Sequence, residues 1–326
     1  MSRKRNRSCG IGGQAVLEGV MMKKGDLYAV TVRKPDGNLV IDTEEFHGVM
    51  HGNKIKNTPF IRGIFNFVDS LILGTRTLTY SANFMEDENA QETAMDKWMK
   101  KVFKDKAESV INGVTVTLSI ILAIGIFMVL PYFISSLLNS FVRSTTVLAI
   151  IEGIIRLGIF VGYVVLISAM EDIKRVYMYH GAEHKCINCI ERGHALTVEN
   201  AMKSSRLHKR CGTSFMLFVM MVSIVLFMFI KVEDPFMRVL VRIILVPVIA
   251  GISYEIIRLA GNNSNNILVK IISAPGMWLQ TLTTKEPTED MVEVAIKSVE
   301  AVFDWKEYLK EEFGYDVDAG TEDIPS

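Results

Sequence analysis

Four cysteines in 326 residues are too few for a disulfide scaffold, and eight prolines and 23 glycines are too few for a collagen-like or low-complexity chain. Excess charge of either sign is also lacking. The 36 lysines and arginines balance 36 aspartates and glutamates, which removes the basic footprint of a nucleic-acid binder and the high net charge of a disordered chain. There is no internal repeat. The basic start (Arg3, Lys4, Arg5, Arg7) is not followed by an apolar stretch, so it does not read as a signal peptide. It reads as a tail near anionic lipid or a solvated end. What the chain does have is hydrophobicity, 49% of residues with a mean hydropathy of +0.27, unevenly distributed.

From Ser109 to Val142 no residue is charged, 34 positions against the roughly 20 needed to cross a bilayer. Pro131 is expected to end or kink this span near its far side. Cys211 to Ile230 is a second charge-free run, 20 residues long. Thr145 to Met170 is apolar except for Glu152 and Arg156, one turn apart on a helix face. Met237 to Ala260 carries Arg242 near one end and Glu255 and Arg258 near the other, positions from which charged groups can pair or snorkel. Four spans are therefore expected in a mainly α integral membrane protein. Lys97, Lys100, Lys101, Lys104 and Lys106 precede the first span. The 171–210 link holds eight cations, against Arg143 in one short link and Lys231 and Arg238 in the other. By the positive-inside rule both termini and the 171–210 link are cytoplasmic, and the protein is a multi-pass protein of the cell membrane.

The remaining chain forms a small α+β cytoplasmic region. Residues 27–44 alternate as a β-hairpin: Tyr28, Val30 and Val32 share a face, and Pro35-Asp36-Gly37-Asn38 is turn chemistry. Gly10-Ile11-Gly12-Gly13-Gln14-Ala15 spells a dinucleotide fingerprint without the strand that must precede it, and is expected to be a tight backbone turn. Thr58-Pro59 marks the start of an amphipathic helix over 59–82, with Ile61, Ile64, Phe65, Val68, Leu71, Ile72, Thr75 and Leu78 in one stripe that lies on the membrane or packs in a core. Residues 267–284 are similar, with Pro275-Gly276 opening a turn and Trp278 suited to the interface. From Thr288 an acid-capped helix leads to an acidic tail. The organisation is then a cytoplasmic N-terminal region (1–106), a membrane hairpin (107–170), a His/Cys loop (171–210), a second membrane hairpin (211–260) and cytoplasmic C-terminal helices (261–326).

Of ten histidines and cysteines, seven fall between His180 and Cys211. On the cytoplasmic side, where thiols stay reduced, that clustering favours metal over disulfide. Two spacings overlap. His180-Gly-Ala-Glu183-His184 is H-x-x-E-H: on a helix the histidines face the same way with a carboxylate beside them, as in inverted zinc peptidases, although Gly181 disfavours the helix by about 1 kcal/mol. Zinc there would lower the pKa of a bound water to about 7, with Glu183 as general base. Cys186-x-x-Cys189 with His208-x-x-Cys211 instead fits a closed structural zinc site. A hybrid open site would complete His180 and His184 with Cys189, His208 or Cys211. Histidine-box di-iron enzymes need more histidines than the six present, two of which, His47 and His51, lie far upstream.

Several long strings resemble the YqhQ family. They are Gly12-Gly13-Gln14-Ala15-Val16-Leu17-Glu18-Gly19-Val20-Met21-Met22, Tyr80-Ser81-Ala82-Asn83 and Tyr179-His180-Gly181-Ala182-Glu183-His184-Lys185. Ser205-Arg206-Leu207-His208-Lys209-Arg210-Cys211-Gly212-Thr213-Ser214-Phe215 and Ala250-Gly251-Ile252-Ser253-Tyr254-Glu255-Ile256-Ile257-Arg258-Leu259 complete the set. The likeness runs from Gly12 to about Ile296. It implies a bacterial inner-membrane protein of unknown function, described as a metal-dependent enzyme. It also implies that His180, Glu183, His184, Cys189, His208 and Cys211 belong to the family pattern, with Cys186 optional. The expected reading is a membrane-embedded metal-dependent hydrolase, peptidase-like, with its site at the cytoplasmic surface. Zinc or another divalent metal is held by His180, His184, Cys189, His208 and Cys211, and Glu183 is the catalytic base. The alternative is a non-catalytic scaffold or regulator with a structural zinc. Expected partners are the lipid bilayer and a membrane protein or second copy of the chain, with no nucleic acid.

Overall fold

The computed structural model describes residues 8–53, 55, 58–85, 107–138, 140–230, 232, 234–262, 267–314 and 317; the basic start, the lysines of 97–106 and the acidic tail lie outside them. In chain order the elements are β1 (Ile11–Val16), β2 (Gly19–Lys24), β3 (Leu27–Arg33), β4 (Leu39–Glu45) and α1 (Ile61–Ala82). Next come α2 (Ala107–Ile124), a π-helical turn (Gly125–Val129), α3 (Leu130–Ser136), α4 (Thr145–Ile167), α5 (Glu171–Glu191) and α6 (Val198–Lys203). Then follow α7 (Gly212–Phe229), α8 (Pro235–Asn262), α9 (Ile267–Thr283), α10 (Glu289–Glu300) and α11 (Trp305–Phe313). The chain divides into two compact units, one of 1–85, 164–219 and 247–326, the other of 86–163 and 220–246.

Among the described residues four helices are long and apolar enough to cross a membrane: Gly113–Ser136, Thr145–Ile167, Gly212–Phe229 and Phe236–Leu259. They are the four spans expected from sequence, in a mainly helical multi-pass membrane protein that also carries an antiparallel sheet. Their outer faces are apolar and uncovered, Leu118, Ile121, Leu166 and Phe229 among them, as lipid contact requires.

In the second unit Pro131 does not end the first span, which continues to Ser136. A proline offers no N–H to the carbonyl four residues back, here that of Phe127. The π-helical turn just before it takes up the irregularity, and Arg156 Nε donates to the Phe127 oxygen at 3.0 Å. Arg156 and Glu152 do pair one turn apart, Nη2 to Oε1 at 2.9 Å. Arg242, near one end of its helix, pairs rather than snorkels: it turns inward, buried, and donates Nη2 to Glu152 Oε2 at 2.8 Å. The Glu152 carboxylate thus serves both guanidinium groups, its Oε1 in contact with Arg156 and with Arg242, and both groups lie over the Phe227 ring, 5.3 and 5.0 Å from its centroid.

In the first unit the sheet is a meander, β1-β2-β3-β4, antiparallel throughout. Two-residue turns join the first three strands, with Val16 opposite Gly19 and Lys24 opposite Leu27. The expected hairpin is its second half. The Gly10–Ala15 segment is not a turn but enters β1, where Gly12 and Gly13 hide the strand periodicity. Both faces of β2 and β3 are covered. Val16, Met21, Tyr28, Val30 and Val32 pack with Leu73 of α1. Val20, Met22 and Ala29 of the other face join the core built by α5 and α10. Ser298 of α10 donates to the carbonyls of both Val20 (3.0 Å) and Ala29 (3.1 Å).

Helix α1 starts two residues later than Thr58-Pro59 suggests. Phe60 has a positive φ of 66°, and its N–H is taken by Glu255 Oε1 at 3.2 Å, so helical geometry begins at Ile61. Its buried face is not the apolar stripe but Gly63, Leu73, Gly74, Thr77 and Ser81; Leu71, Ile72 and Leu78 face outward. Gly63 allows the close approach of Gly251 and Tyr254 on α8, beside an Arg62–Glu255 ion pair. Helix α9 likewise runs straight through Pro275-Gly276, where the expected turn is absent and Gly276 lets Ser214 of α7 come close.

The buried charges of the second unit give a direct test. Glu152→Gln leaves two guanidinium groups without a counter-charge, and breaking such a buried pair costs about 3–5 kcal/mol. The denaturant midpoint of the purified variant should fall clearly below that of the wild type. Unchanged unfolding would mean that Glu152 neutralises nothing.

Candidate metal centre

The centre is carried by α5. Glu171 and Asp172 lie in its first turn, where the helix dipole favours them, and Gly193, with φ of 82°, closes its far end. The helix runs to Glu191, so much of the expected 171–210 loop is helical. Gly181 is needed despite its poor helix propensity: a Cβ there would lie 2.1 Å from the Lys285 carbonyl oxygen. That close approach brings the end of α9 beside the helix. From Gly181 to Glu191 every residue is buried, polar ones included.

His180 and His184, one turn apart, face the same way, and their rings are 4.4 Å apart. His180 Nδ1 bonds to the Thr283 carbonyl at 2.8 Å, and His184 Nδ1 to the Arg206 carbonyl at 2.6 Å. Carbonyls only accept, so each Nδ1 carries the proton and each Nε2 presents a lone pair. This is the outer arrangement that metal-binding histidines show. Into the same space comes Cys211, whose Sγ is 3.2 Å from His180 Nε2. Cys211 immediately precedes α7, and the Thr213 N–H of the first turn points at its sulfur at 3.4 Å. The ligand atoms of His180, His184 and Cys211 all lie within 4.8 Å of one another, a group that could hold a metal. Burial holds the imidazole of His184 below its usual pKa, against the raising influence of Cys211, which keeps it in the neutral form a metal needs.

The long strings that surround these residues can now be placed. The family model described as "Protein of unknown function (DUF1385)" matches residues 58–305. The "Uncharacterized protein YqhQ" of Bacillus subtilis (strain 168) is 35% identical over 289 residues, 88% of this chain and 90% of that protein. The chain belongs to the DUF1385 family. No solved structure matches it.

Three of the strings that carry the family likeness, 12–22, 179–185 and 205–215, meet at α5. In the first, Gln14 Nε2 donates to the Gly74 carbonyl of α1 at 3.4 Å, and Leu17 N–H to Ser81 Oγ at 3.1 Å. Glu18, in the β1–β2 turn with φ of 48°, accepts two 2.5 Å bonds from Arg175 of α5. Gly13 leaves room for Glu183: a Cβ there would be 2.9 Å from that side chain. The second half of the centre is a loop held by its carbonyls. Lys185 Nζ donates to Met202 (2.6 Å) and Ser204 (3.0 Å), and Asn188 Nδ2 to Ser205 (2.6 Å) and Leu207 (3.0 Å). Gln280 of α9 then clamps His208 by its N–H (2.8 Å) and its carbonyl (2.7 Å).

Of the other expected residues, Glu183 is fully buried with Oε2 lacking any hydrogen-bond partner. Burial pushes its carboxyl up to about 7, partly offset by His180. Cys189 stands nine residues beyond His180, about 2.5 turns, and so points from the opposite face of α5. Its Sγ donates to the Ala195 carbonyl at 3.4 Å, and burial pushes its thiol up to about 12. Cys186 lies in the apolar core. Neither cysteine reaches the His180–His184–Cys211 group. His208 stands beside the group, its ring 5.7 Å from that of His184, but its Nε2 is engaged by Glu191 Oε2 at 3.3 Å. Glu191 was missed from sequence. It lies on the His180–His184 face of α5, seven residues beyond His184, and also accepts from Arg210 and from the Cys9 N–H at 3.2 Å. Burial opposes its charge, but His208 and Arg210 outweigh this and hold its carboxyl below the usual range.

Gly181 decides between two opposite expectations. Helix propensity alone says Gly181→Ala stabilises by about 1 kcal/mol, whereas the Lys285 carbonyl leaves no space for the methyl. The variant should show a lower thermal midpoint than the wild type and loss of any metal held at His180. A raised midpoint would contradict the packing.

Proposed function

We propose that this membrane protein is a metal-dependent hydrolase, peptidase-like in its donor pattern, with zinc or a similar divalent ion held by His180, His184 and Cys211. The observation that carries the reading is the convergence of these three ligand atoms with both imidazoles fixed through Nδ1. Two imidazoles and a sulfur are a borderline donor set suited to zinc. Three protein ligands match a catalytic site, which keeps a position open, rather than a closed four-ligand one. Zinc so held supplies Lewis acidity and lowers the pKa of a bound water to about 7. Glu183 is the chain's own proton acceptor in this reading, buried next to His184 with an oxygen that has no partner. His208 and Glu191 form the neighbouring pair that positions the Cys211 segment. The functional division is, in sequence order, a membrane hairpin (107–170), a metal-binding segment (171–210) and a second membrane hairpin (211–260).

A structural zinc is the second reading, favoured by the way the two histidines already tie α5 to the Thr283 and Arg206 carbonyls. X-ray absorption of zinc-loaded protein tests the ligand set. One Zn–S distance of about 2.3 Å should accompany Zn–N distances of about 2.0–2.1 Å. Cys211→Ser should remove the sulfur, and Cys189→Ser should leave it; sulfur that survives Cys211→Ser refutes the set. Glu183→Gln separates the two readings. A hydrolase should keep its metal and lose function by about 10²–10⁴ in rate, failing to complement a deletion strain. Complementation at normal protein level leaves the structural reading.

We infer further that both termini and the metal-binding segment face the cytoplasm, from the eight cations of 171–210 against the few in the short links. Single cysteines introduced into a cysteine-free background should label from outside at 140 and 234, and only after permeabilisation at 195 and 320. Outside labelling at 195 would overturn the orientation.

A further inference from the structure

We propose that Asp26, His47 and His51 form a second, surface site for a borderline divalent cation such as zinc, separate from the His180–His184–Cys211 group. The ligand atoms of these three residues also lie within 4.8 Å of one another, and the two groups are the ones of this kind among the described residues. Asp26 Oδ2 is 3.1 Å from His51 Nε2 and 3.6 Å from His47 Nδ1. Nitrogen and oxygen ligands at about 2.0–2.1 Å from a tetrahedral zinc stand about 3.3 Å apart, midway between those two separations. The donor set is two imidazoles and a carboxylate, without sulfur, which suits zinc, nickel or copper better than magnesium or calcium.

The backbone builds this arrangement. Asp26 occupies the two-residue turn between β2 and β3, after Gly25 with φ of 62°. Its carbonyl accepts the Phe46 N–H at 2.8 Å, which fixes the residue before His47 directly against the turn. The chain then folds back: His51 N–H bonds to the Gly48 carbonyl at 3.1 Å, with Met50 held at a positive φ of 58°. Val49 N–H is anchored on Asp69 Oδ1 of α1 at 2.7 Å. The result sets the two imidazoles 4.7 Å apart over one carboxylate oxygen.

A second observation is independent of that convergence. His47 turns Nδ1 to Asp26 and Nε2 to Glu45 Oε2, 3.3 Å away. A carboxylate on the far nitrogen fixes the tautomer and makes the near nitrogen a better donor, the usual outer support of a histidine ligand. The histidine and aspartate side chains are about half exposed, so the remaining coordination positions are open to solvent and the ion exchanges readily.

The experiment uses the full chain, purified in detergent, stripped with a chelator and dialysed against micromolar zinc. His47→Ala/His51→Ala should bind one zinc fewer than the wild type, with its thermal midpoint before zinc addition unchanged because both side chains are exposed. Asp26→Asn should lose the same ion, and Glu45→Gln should hold it about 10- to 100-fold more weakly. Absorption spectra of this ion should show nitrogen and oxygen neighbours only. An undiminished zinc count in the double variant overturns the proposal, and so does a difference seen only at millimolar zinc. The buried group is read separately by its sulfur, so failure at either position leaves the other result intact.

Discussion

The hydrogen bonds from His180 Nδ1 to the Thr283 carbonyl and from His184 Nδ1 to the Arg206 carbonyl bind two distant stretches of chain to one face of α5. Thr283 ends α9, whose last carbonyls have no partner within the helix. Arg206 lies in the loop that returns to Cys211, and its own guanidinium reaches the next carbonyl of the α9 end, Thr284, at 2.6 Å. The same imidazoles that orient Nε2 toward the sulfur therefore also fix where the sulfur comes from. Geometry of the centre and packing of the fold are one constraint here. Removing either histidine would free a backbone carbonyl in a buried place as well as a ligand.

That constraint explains why α5 is so polar yet so buried. An interior helix is normally apolar, because a buried polar atom without a partner costs about 1–3 kcal/mol. Helix α5 buries Glu183, His184, Lys185, Asn188 and Glu191. Lys185 and Asn188 use their donors on loop carbonyls, and Lys185 also meets Glu286 at 2.5 Å. Glu191 accepts from His208, Arg210 and Cys9. The helix takes the place of a sheet edge or a water layer for the 202–207 segment. The loop stays ordered without secondary structure because side chains of α5 satisfy its carbonyls.

The membrane part was legible because it rests on composition over long windows. Spanning helices must satisfy their backbone internally, and runs free of charge announce them. The pair Glu152–Arg156 was legible from spacing; the inward turn of Arg242 was not, since sequence cannot say which of two polar exits an arginine takes. The first half of the sheet was hidden because Gly12 and Gly13 carry no side-chain periodicity, and because β2, covered on both faces, alternates weakly. The packed face of α1 was not legible because its protein contacts include Gly63, Gly74 and Ser81, small residues that register as neutral in any hydrophobic pattern. Within the centre, His180 and His184 were legible from a four-residue spacing on a helix. Cys211 was one candidate among several, joined by tertiary folding alone. Cys189 was drawn in by reading 171–210 as a loop; once the helix runs to Glu191, its register puts Cys189 on the far side. The same register brings in Glu191, which sequence reading passed over as a loop charge.

The partnering on α5 also bears on which reading of the centre is physically coherent. A structural zinc site needs closed ligation, and the residues that would close it are committed elsewhere: His208 Nε2 to Glu191, Cys189 to a carbonyl, Cys186 to the apolar core. Among the buried side chains of α5, the one atom without a partner is Glu183 Oε2. Gly13 has no side chain where Glu183 packs, so β1 gives the acid space without giving it a hydrogen bond. A purely structural role would favour an apolar residue at this position, since a buried unpaired carboxyl weakens the fold. An acid retained there, on the same helix as two oriented imidazoles and with no fourth ligand in the His180–His184–Cys211 group among the described residues, is what the proposed hydrolase reading expects, stability being given up locally for proton transfer.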